Sequence, residues 1–323
     1  MTKNAIEWLE KYYHFVLMNT KVGKKAKEYL LQRGIEEDTI KKFKLGYSPY
    51  DVRPTLVFLK GKGFDLDDLV KRRVISQFKS GKQKGKFTDN FKGRIIFPIQ
   101  NHYGKTIAFG GRSLRSNDKI KYLNSPETKN FVKGDNLYAF SHAKKNIKKQ
   151  EFVVLLEGYF DVISAHQAGL KNSVATLGTA LTVNQAVLLR SVTKNVVISF
   201  DGDKAGMESS LKSASILEKV GCNVRIANIE GDLDPDEFIQ KHGNDVFIKE
   251  VIAKAQSRLD FFINFKKKEH DLSSQNERYS FAREVFDEFS MNEPGETKKV
   301  LERLGIELKV PIDEIYKEIQ KGV

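Results

Sequence analysis

The sequence predicts an α/β fold: a central, mostly parallel sheet with helices on both faces, a mixed α+β lobe before it and a helical bundle after it. Three patterns carry that expectation. Between residues 146 and 244, continuous apolar runs of strand length alternate with amphipathic helical stretches, as in a parallel sheet buried on both faces. Residues 1–145 mix short helical spacings with turn-bounded, strand-like runs. Residues 245–323 keep helical apolar spacing throughout.

In the first lobe, "AIEWLEKYYHFVL" (5–17) and "AKEYLLQRGI" (26–35) place apolar residues three and four apart, and Gly34 stops the second helix. "VISQF" (74–78), "GRIIFPIQ" (93–100) and "KTIAFGG" (105–111) read as strands, with "KSGKQKGK" (79–86) as a mobile hairpin tip. "KYLNSPET" (121–128) and "FVKGDNLYAF" (131–140) read as ordered loops, and "SHAKKNIKKQ" (141–150) as a basic helix. The central unit then alternates. Strands fall on "EFVVLLE" (151–157), "SVAT" (173–176), "NVVISFD" (195–201) and "NVRIANI" (223–229). Helices fall on "YFDVISAHQAG" (159–169), "TVNQAVLLRSV" (182–192), "KAGMESSLKSASILEKVG" (204–221) and "DPDEFIQKHG" (234–243). The last unit reads as helices over 245–268, 277–289, 296–308 and 311–320.

Composition narrows the function classes. At 323 residues, 40% hydrophobic and 30% charged, the chain suits a soluble globular protein with more than one core. Its apolar runs are far shorter than the roughly 20 residues of a membrane span, and no leader-like stretch opens it. A single cysteine excludes a disulfide framework and a multi-cysteine zinc module, and points to a reducing, cytoplasmic setting. The net charge of +13 is unevenly spread. Residues 1–150 carry 33 Lys and Arg against 14 Asp and Glu, whereas residues 151–323 carry 22 against 28. A basic half joined to an acidic half suggests a polyanion track beside a cation site.

The acids recur at one kind of place. Glu157 ends "VVLLE" and Asp161 lies one helical turn beyond; Asp201 ends "VVISFD" with Asp203 two residues on; "DLDPDEF" supplies Asp232, Asp234 and Asp236 after the last strand. In open α/β sheets ligands bind beyond the carboxyl ends of strands, so all would meet on one rim. Taken singly, each reads as a helix N-cap or turn residue. Together they repel one another unless a cation joins them, and an all-oxygen donor set selects Mg²⁺ or Mn²⁺. Two or more such ions could serve phosphate chemistry.

The spacing Glu157-Gly-Tyr-Phe-Asp161, Asp201-Gly-Asp203, Asp234-Pro-Asp236 resembles the Toprim domain of topoisomerases, primases and some nucleases. A phosphatase of the haloacid dehalogenase type, with Asp201 as nucleophile, and a metal-independent nucleic-acid-binding module are the rival readings. The flanking "GRIIFPI" (93–99), "FGGR" (109–112), "KYLNSPET" (121–128), "VKGDNLY" (132–138), "VATLGTA" (174–180) and "DGDKAG" (201–206) are similar to the bacterial replicative primase family, the DnaG type.

That resemblance implies a DNA-dependent RNA polymerase core making short RNA primers on single-stranded DNA from ribonucleoside triphosphates. It implies Glu157, Asp161, Asp201, Asp203, Asp234 and Asp236 as metal ligands, with Glu157, Asp201 and Asp203 catalytic. Glu157 is left as either ligand or general base. It also implies that Arg33, Arg112, Lys121 and Lys133 contact nucleotide or template, with Asn124 and Tyr159 contacting nucleotide or shaping the site. The glycines of "FGGR" are expected to let backbone approach a polyanion. The family's zinc module and helicase-binding domain have no counterpart in this sequence, which therefore reads as an excised catalytic core. Contact with a replicative helicase would need that further domain.

Overall fold

The structure, a computed structural model, describes residues 4–229, 231–289 and 294–321. The first lobe runs α1 (Ala5–Asn19), α2 (Lys24–Gln32), α3 (Glu37–Lys42), β1 (Gly46–Ser48), α4 (Arg53–Gly61), α5 (Leu66–Lys71), β2 (Ser76–Gln77), β3 (Phe87–Thr88), β4 (Arg94–Gln100), β5 (Thr106–Ser113) and β6 (Tyr122–Asn124). Asn4 begins α1 by accepting the Ile6 N–H at 3.1 Å, with Glu7 in the first turn. Strands β1, β4, β5 and β6 form one antiparallel sheet in that order, and β2 pairs with β3 as a separate hairpin carrying the basic tip.

Alternation along β4 decides what the lobe packs against. Ile96 faces α1 with Leu9, Tyr13, Phe91 and Phe109, while Ile95, Phe97 and Ile99 belong to a core shared with the central unit. Two short strands escaped the sequence reading. β1 is too short for periodicity, and Gly46 is required there because a Cβ would lie 2.6 Å from the Tyr13 Cβ. "KYLN", read as loop, contributes β6 because Gly110, Gly111 and Arg112 of β5 offer it an open edge.

The central unit runs α6 (Phe140–Gln150), β7 (Phe152–Leu156), α7 (Tyr159–Gln167), β8 (Ser173–Ala175), α8 (Val183–Arg190), β9 (Asn195–Ile198), α9 (Lys204–Lys219), β10 (Asn223–Ile226) and α10 (Pro235–His242). This is the α/β Toprim-type arrangement expected. The strand order is β10-β9-β7-β8, with every neighbouring pair parallel. Val154 and Leu156 face the core containing Phe160, Ile163 and Phe97; Val153 and Leu155 face the one containing Ala143, Ala186 and Leu217. Parallel pairing brings the carboxyl ends of all four strands to one rim.

The remaining helices are α11 (Asn244–Val246), α12 (Arg258–Lys266), α13 (Gln275–Phe289), α14 (Pro294–Leu308) and α15 (Ile312–Gln320), the last three packing with α12 around Phe281, Val285, Leu304 and Ile315. The single helix expected over 245–268 is broken. A wide turn occupies Phe247–Ile252, and Ile226 and Gln256 then exchange backbone hydrogen bonds at 2.8 Å. Ser257 starts α12 as its cap. A strand-edge bond thus overrides continuous helical spacing. Among the described residues no helix is long and apolar enough to cross a membrane.

Candidate metal and nucleotide site

Each acid on the rim has a different local anchor. Asp203 caps α9 by accepting the Gly206 N–H at 2.7 Å, and Asp234 caps α10 by accepting the Glu237 N–H at 2.7 Å. Asp161, in the first turn of α7, accepts the Gly158 N–H at 2.8 Å. The N-cap reading therefore holds for Asp203 and Asp234, while Asp161 accepts from the N-cap residue of its own helix; such bonds engage only part of a carboxylate's accepting capacity. Glu157 differs: it is half-buried, and its Oε1 is buried with no hydrogen-bond partner.

The loops holding the acids are locked together. The Gly202 N–H donates to the Leu233 carbonyl at 3.0 Å, joining the "DGD" and "DLDPD" loops. A Cβ on Gly202 would lie 2.4 Å from the Ile229 oxygen, and one on Gly206 2.2 Å from the Asp201 oxygen. Only glycine fits either place.

Electrostatics confirm that these carboxylates sense one another. Burial, then Glu157, Asp234 and Asp203, push the Asp201 carboxyl up to about 7. Burial raises Glu157, with Asp203 adding to it and the Asp201 backbone N–H opposing. Asp161 is driven well above the usual carboxylate range by burial, then by Asp234, Asp201 and Asp236. Asp234 is raised by burial, with Glu237 and Asp236 adding. As they stand, no three His, Cys, Asp or Glu side chains among the described residues share a ligating point.

Asp236 is set differently from the ligand expected. Wholly buried, it accepts from Ser164 Oγ at 2.5 Å and Gln240 Nε2 at 2.8 Å on Oδ1, and from Arg33 Nη2 at 2.5 Å on Oδ2. Three donors already engage both oxygens.

The same ion pair ties the acid rim to the basic lobe. Arg33 lies 4.4 Å from the Phe160 ring centre, and Arg112 lies 4.8 Å from Tyr29, 5.4 Å from Phe160 and 5.7 Å from Tyr122. Tyr159 donates to Asn124 Oδ1 at 2.5 Å, and Asn124 Nδ2 donates to the Leu177 carbonyl at 2.7 Å. Tyr159 also stacks on Phe97 with centroids 4.8 Å apart. These two residues are thereby fixed as a brace between β6 and the central unit.

The "FGGR" glycines serve rings, not a polyanion: a Cβ on Gly110 would lie 2.5 Å from the Tyr159 ring, and one on Gly111 2.6 Å from Phe91. Lys121 is exposed just before β6, and Lys133 is half-buried beside the start of α8, where its carbonyl accepts from Gln185 at 3.0 Å. Neither ammonium has an ion-pair partner among the described residues. Sequence reasoning missed Tyr29 and Phe160. Tyr29 stands four residues before Arg33 on the same helical face, a spacing that was available as a signal.

Comparison with known proteins identifies the family to which this fold belongs. The family model described as the DNA primase catalytic core, N-terminal domain, matches residues 12–144, and a Toprim-like model matches residues 154–239. The chain is 30% identical to the Aquifex aeolicus primase structure containing zinc-binding and RNA polymerase domains, covering 96% of this chain and 73% of that one, with a TM-score of 0.77. This chain belongs to the DnaG-type primases.

The RNA polymerase domain of Mycobacterium tuberculosis DnaG primase, solved with double-stranded DNA, superimposes with a TM-score of 0.83 at 26% identity, covering 95% of this chain and 97% of that chain. The DNA primase of Halalkalibacterium halodurans is 38% identical over 313 residues, 97% of this chain and 52% of that protein. This chain spans about half the length of the curated relatives it matches. A Toprim-type primase core implies the use of divalent metal in general.

Proposed function

We propose that this chain is the RNA-synthesising core of a DNA primase, acting on single-stranded DNA in the bacterial cytoplasm at the replication fork. Its working units would be residues 1–145, 146–244 and 245–323. A DnaG catalytic domain with single-stranded DNA bound has the same fold at 28% identity and a TM-score of 0.77, which supports the template assignment.

The observation that carries the reading is the Glu157 Oε1, buried and unpartnered beside an Asp201 carboxyl pushed up to about 7. An orphaned carboxylate oxygen among repelling acids fits a hard divalent cation, and the all-oxygen donor set favours Mg²⁺ or Mn²⁺. Glu157, Asp201, Asp203 and Asp234 would hold it, with Asp161 and Asp236 behind them; two or more ions would balance six acids. When bound, such ions lower the pKa of a hydroxyl nucleophile and stabilise charge on a reacting phosphate.

This chain's own groups would do the rest. Arg33 and Arg112 bind the triphosphate of the incoming nucleotide, while Lys121 and Lys133 neutralise nucleotide or template phosphates. Tyr159 and Asn124 hold the floor between them. The primer 3′-oxygen bonds to the α-phosphorus and the bond to pyrophosphate breaks. Glu157 either ligates or accepts the hydroxyl proton. The test is template-directed synthesis from ribonucleotides with Mg²⁺ or Mn²⁺, comparing wild type with Glu157→Gln. Synthesis that requires Glu157 is expected; strand cleavage without synthesis would instead mark a Toprim nuclease.

A further inference from the structure

Two guanidinium groups beside the acidic rim share a single oxygen. Arg33 Nη1 donates to Tyr29 Oη at 3.2 Å, and Arg112 Nη1 donates to the same oxygen. Arg33 has Asp236 on its other side, whereas Arg112 has no carboxylate partner among the described residues. Arg112 is nevertheless only 8% exposed, and its Nε is buried without a hydrogen-bond partner.

An arginine this buried is normally paired, since an isolated charge away from water is costly. Aromatic faces of Tyr29, Tyr122 and Phe160 offset part of that cost. The choice of acceptor then matters. A carboxylate at the position of the Tyr29 hydroxyl would neutralise one of the two cations and weaken their joint pull on an anion. A phenol accepts from both and discharges neither. Because a guanidinium grips phosphate through a planar fork, its orientation counts as much as its charge.

We infer that Tyr29 is a positioning residue, whose hydroxyl oxygen holds Arg112 beside Arg33 with its charge unspent and its fork set for the phosphates of an incoming nucleotide. The inference rests on the nucleotide reading of these two arginines and adds a residue to it. Tyr29 touches no substrate; it acts through Arg112.

Tyr29→Phe keeps the ring and removes only the oxygen, so the fold should be retained. Two measurements separate this inference from the polymerase reading. First, calorimetric titration with inorganic tripolyphosphate, without divalent ions, probes the arginine pair alone; Tyr29→Phe is expected to weaken binding about tenfold. Second, primer synthesis on a defined template should show KM for nucleotide raised about tenfold, kcat changed by less than about twofold and the thermal midpoint unmoved.

The double variant Tyr29→Phe/Arg112→Ala should be no worse than Arg112→Ala, because the two residues act as one unit. Unchanged tripolyphosphate affinity in Tyr29→Phe, or additive losses in the double variant, overturns the inference. Wild-type protein that binds tripolyphosphate in a Tyr29-dependent way but makes no RNA overturns the polymerase reading and leaves the positioning role standing.

Discussion

The basic and acidic walls of the rim both crowd like charges together, and they settle the repulsion in opposite ways. On the basic wall Arg33 and Arg112 lean on aromatic faces, share the Tyr29 oxygen and take a single acid, Asp236, between them. On the acidic wall Glu157, Asp201, Asp161 and Asp234 have no arginine or lysine ion pair among the described residues, and every one of them is raised above its ordinary range. A cation can be soothed by a ring because the ring's face is electron-rich; a carboxylate has no comparable apolar partner. Arg33 is therefore paired within the chain while Arg112 keeps its charge unspent, and the acidic wall is the one where a cation, as proposed above, would relieve the repulsion.

The largest effect should come from the acidic wall. Glu157→Gln is expected to lower primer synthesis by at least about a hundredfold, ~3 kcal/mol at the transition state. Without divalent ions the same variant should melt higher than wild type at pH 8, since one repelling charge has gone. A variant that synthesises normally would break the contrast outright.

Next comes the ion pair on the basic wall. Arg33→Ala strands Asp236 at zero exposure without its cation, and should cost about 3–5 kcal/mol in urea denaturation. Adding Asp236→Asn should recover much of that loss. If Arg33→Ala is as stable as wild type, the pair is not what closes that side.

A third test reads the acidic wall through pH, against two histidines buried elsewhere in the central unit. Asp201 titrates near 7 in the folded chain, above its ordinary value, so its contribution is fully present at low pH and is lost as pH rises through about 7. Glu157, Asp161 and Asp234 shift in the same direction. Behind α7 the sign reverses. Burial holds His142 down at about 4 and His166 at about 3, so their contribution is present above the ordinary histidine range and is lost as pH falls toward those values. Melting in chelator should therefore peak between the two limits. Millimolar Mn²⁺ should raise the midpoint more at pH 8 than at pH 5; an equal rise at both would remove the link to carboxylate ionisation.

The smallest effect is a control on the same rim. Lys204, next to Asp203, pairs with Glu269 across to α12 and its following turn at 2.7 Å, but the lysine is 67% exposed. Lys204→Ala should change stability by no more than about 0.5 kcal/mol. A larger loss in thermal melts would mean that α9 depends on the bundle more than the rest of the rim does.

Local pattern made much of this legible. Apolar runs ending in acids are a short-range signal, and parallel pairing brings three such ends to one rim. Even the single-residue readings held for Asp203 and Asp234, which cap helices while standing on the rim. What stayed hidden depended on partners far along the chain. Asp236 meets Arg33 across 203 positions, and Arg112 meets Tyr29 across 83. The break after Ile252 is set by Ile226 bonding to Gln256, and the "FGGR" glycines by the Tyr159 and Phe91 rings. None of these leaves a periodic trace.

By itself, then, the amino-acid order determined the succession of strands and helices in the central unit, the oxygen-donor chemistry of its strand-end acids and the split between a basic and an acidic half. Only the tertiary structure decided which acid is already satisfied, which oxygen is stranded and which arginine keeps its charge. Periodicity and donor chemistry belong to neighbouring residues. Burial and pairing belong to residues that meet only once the chain has closed.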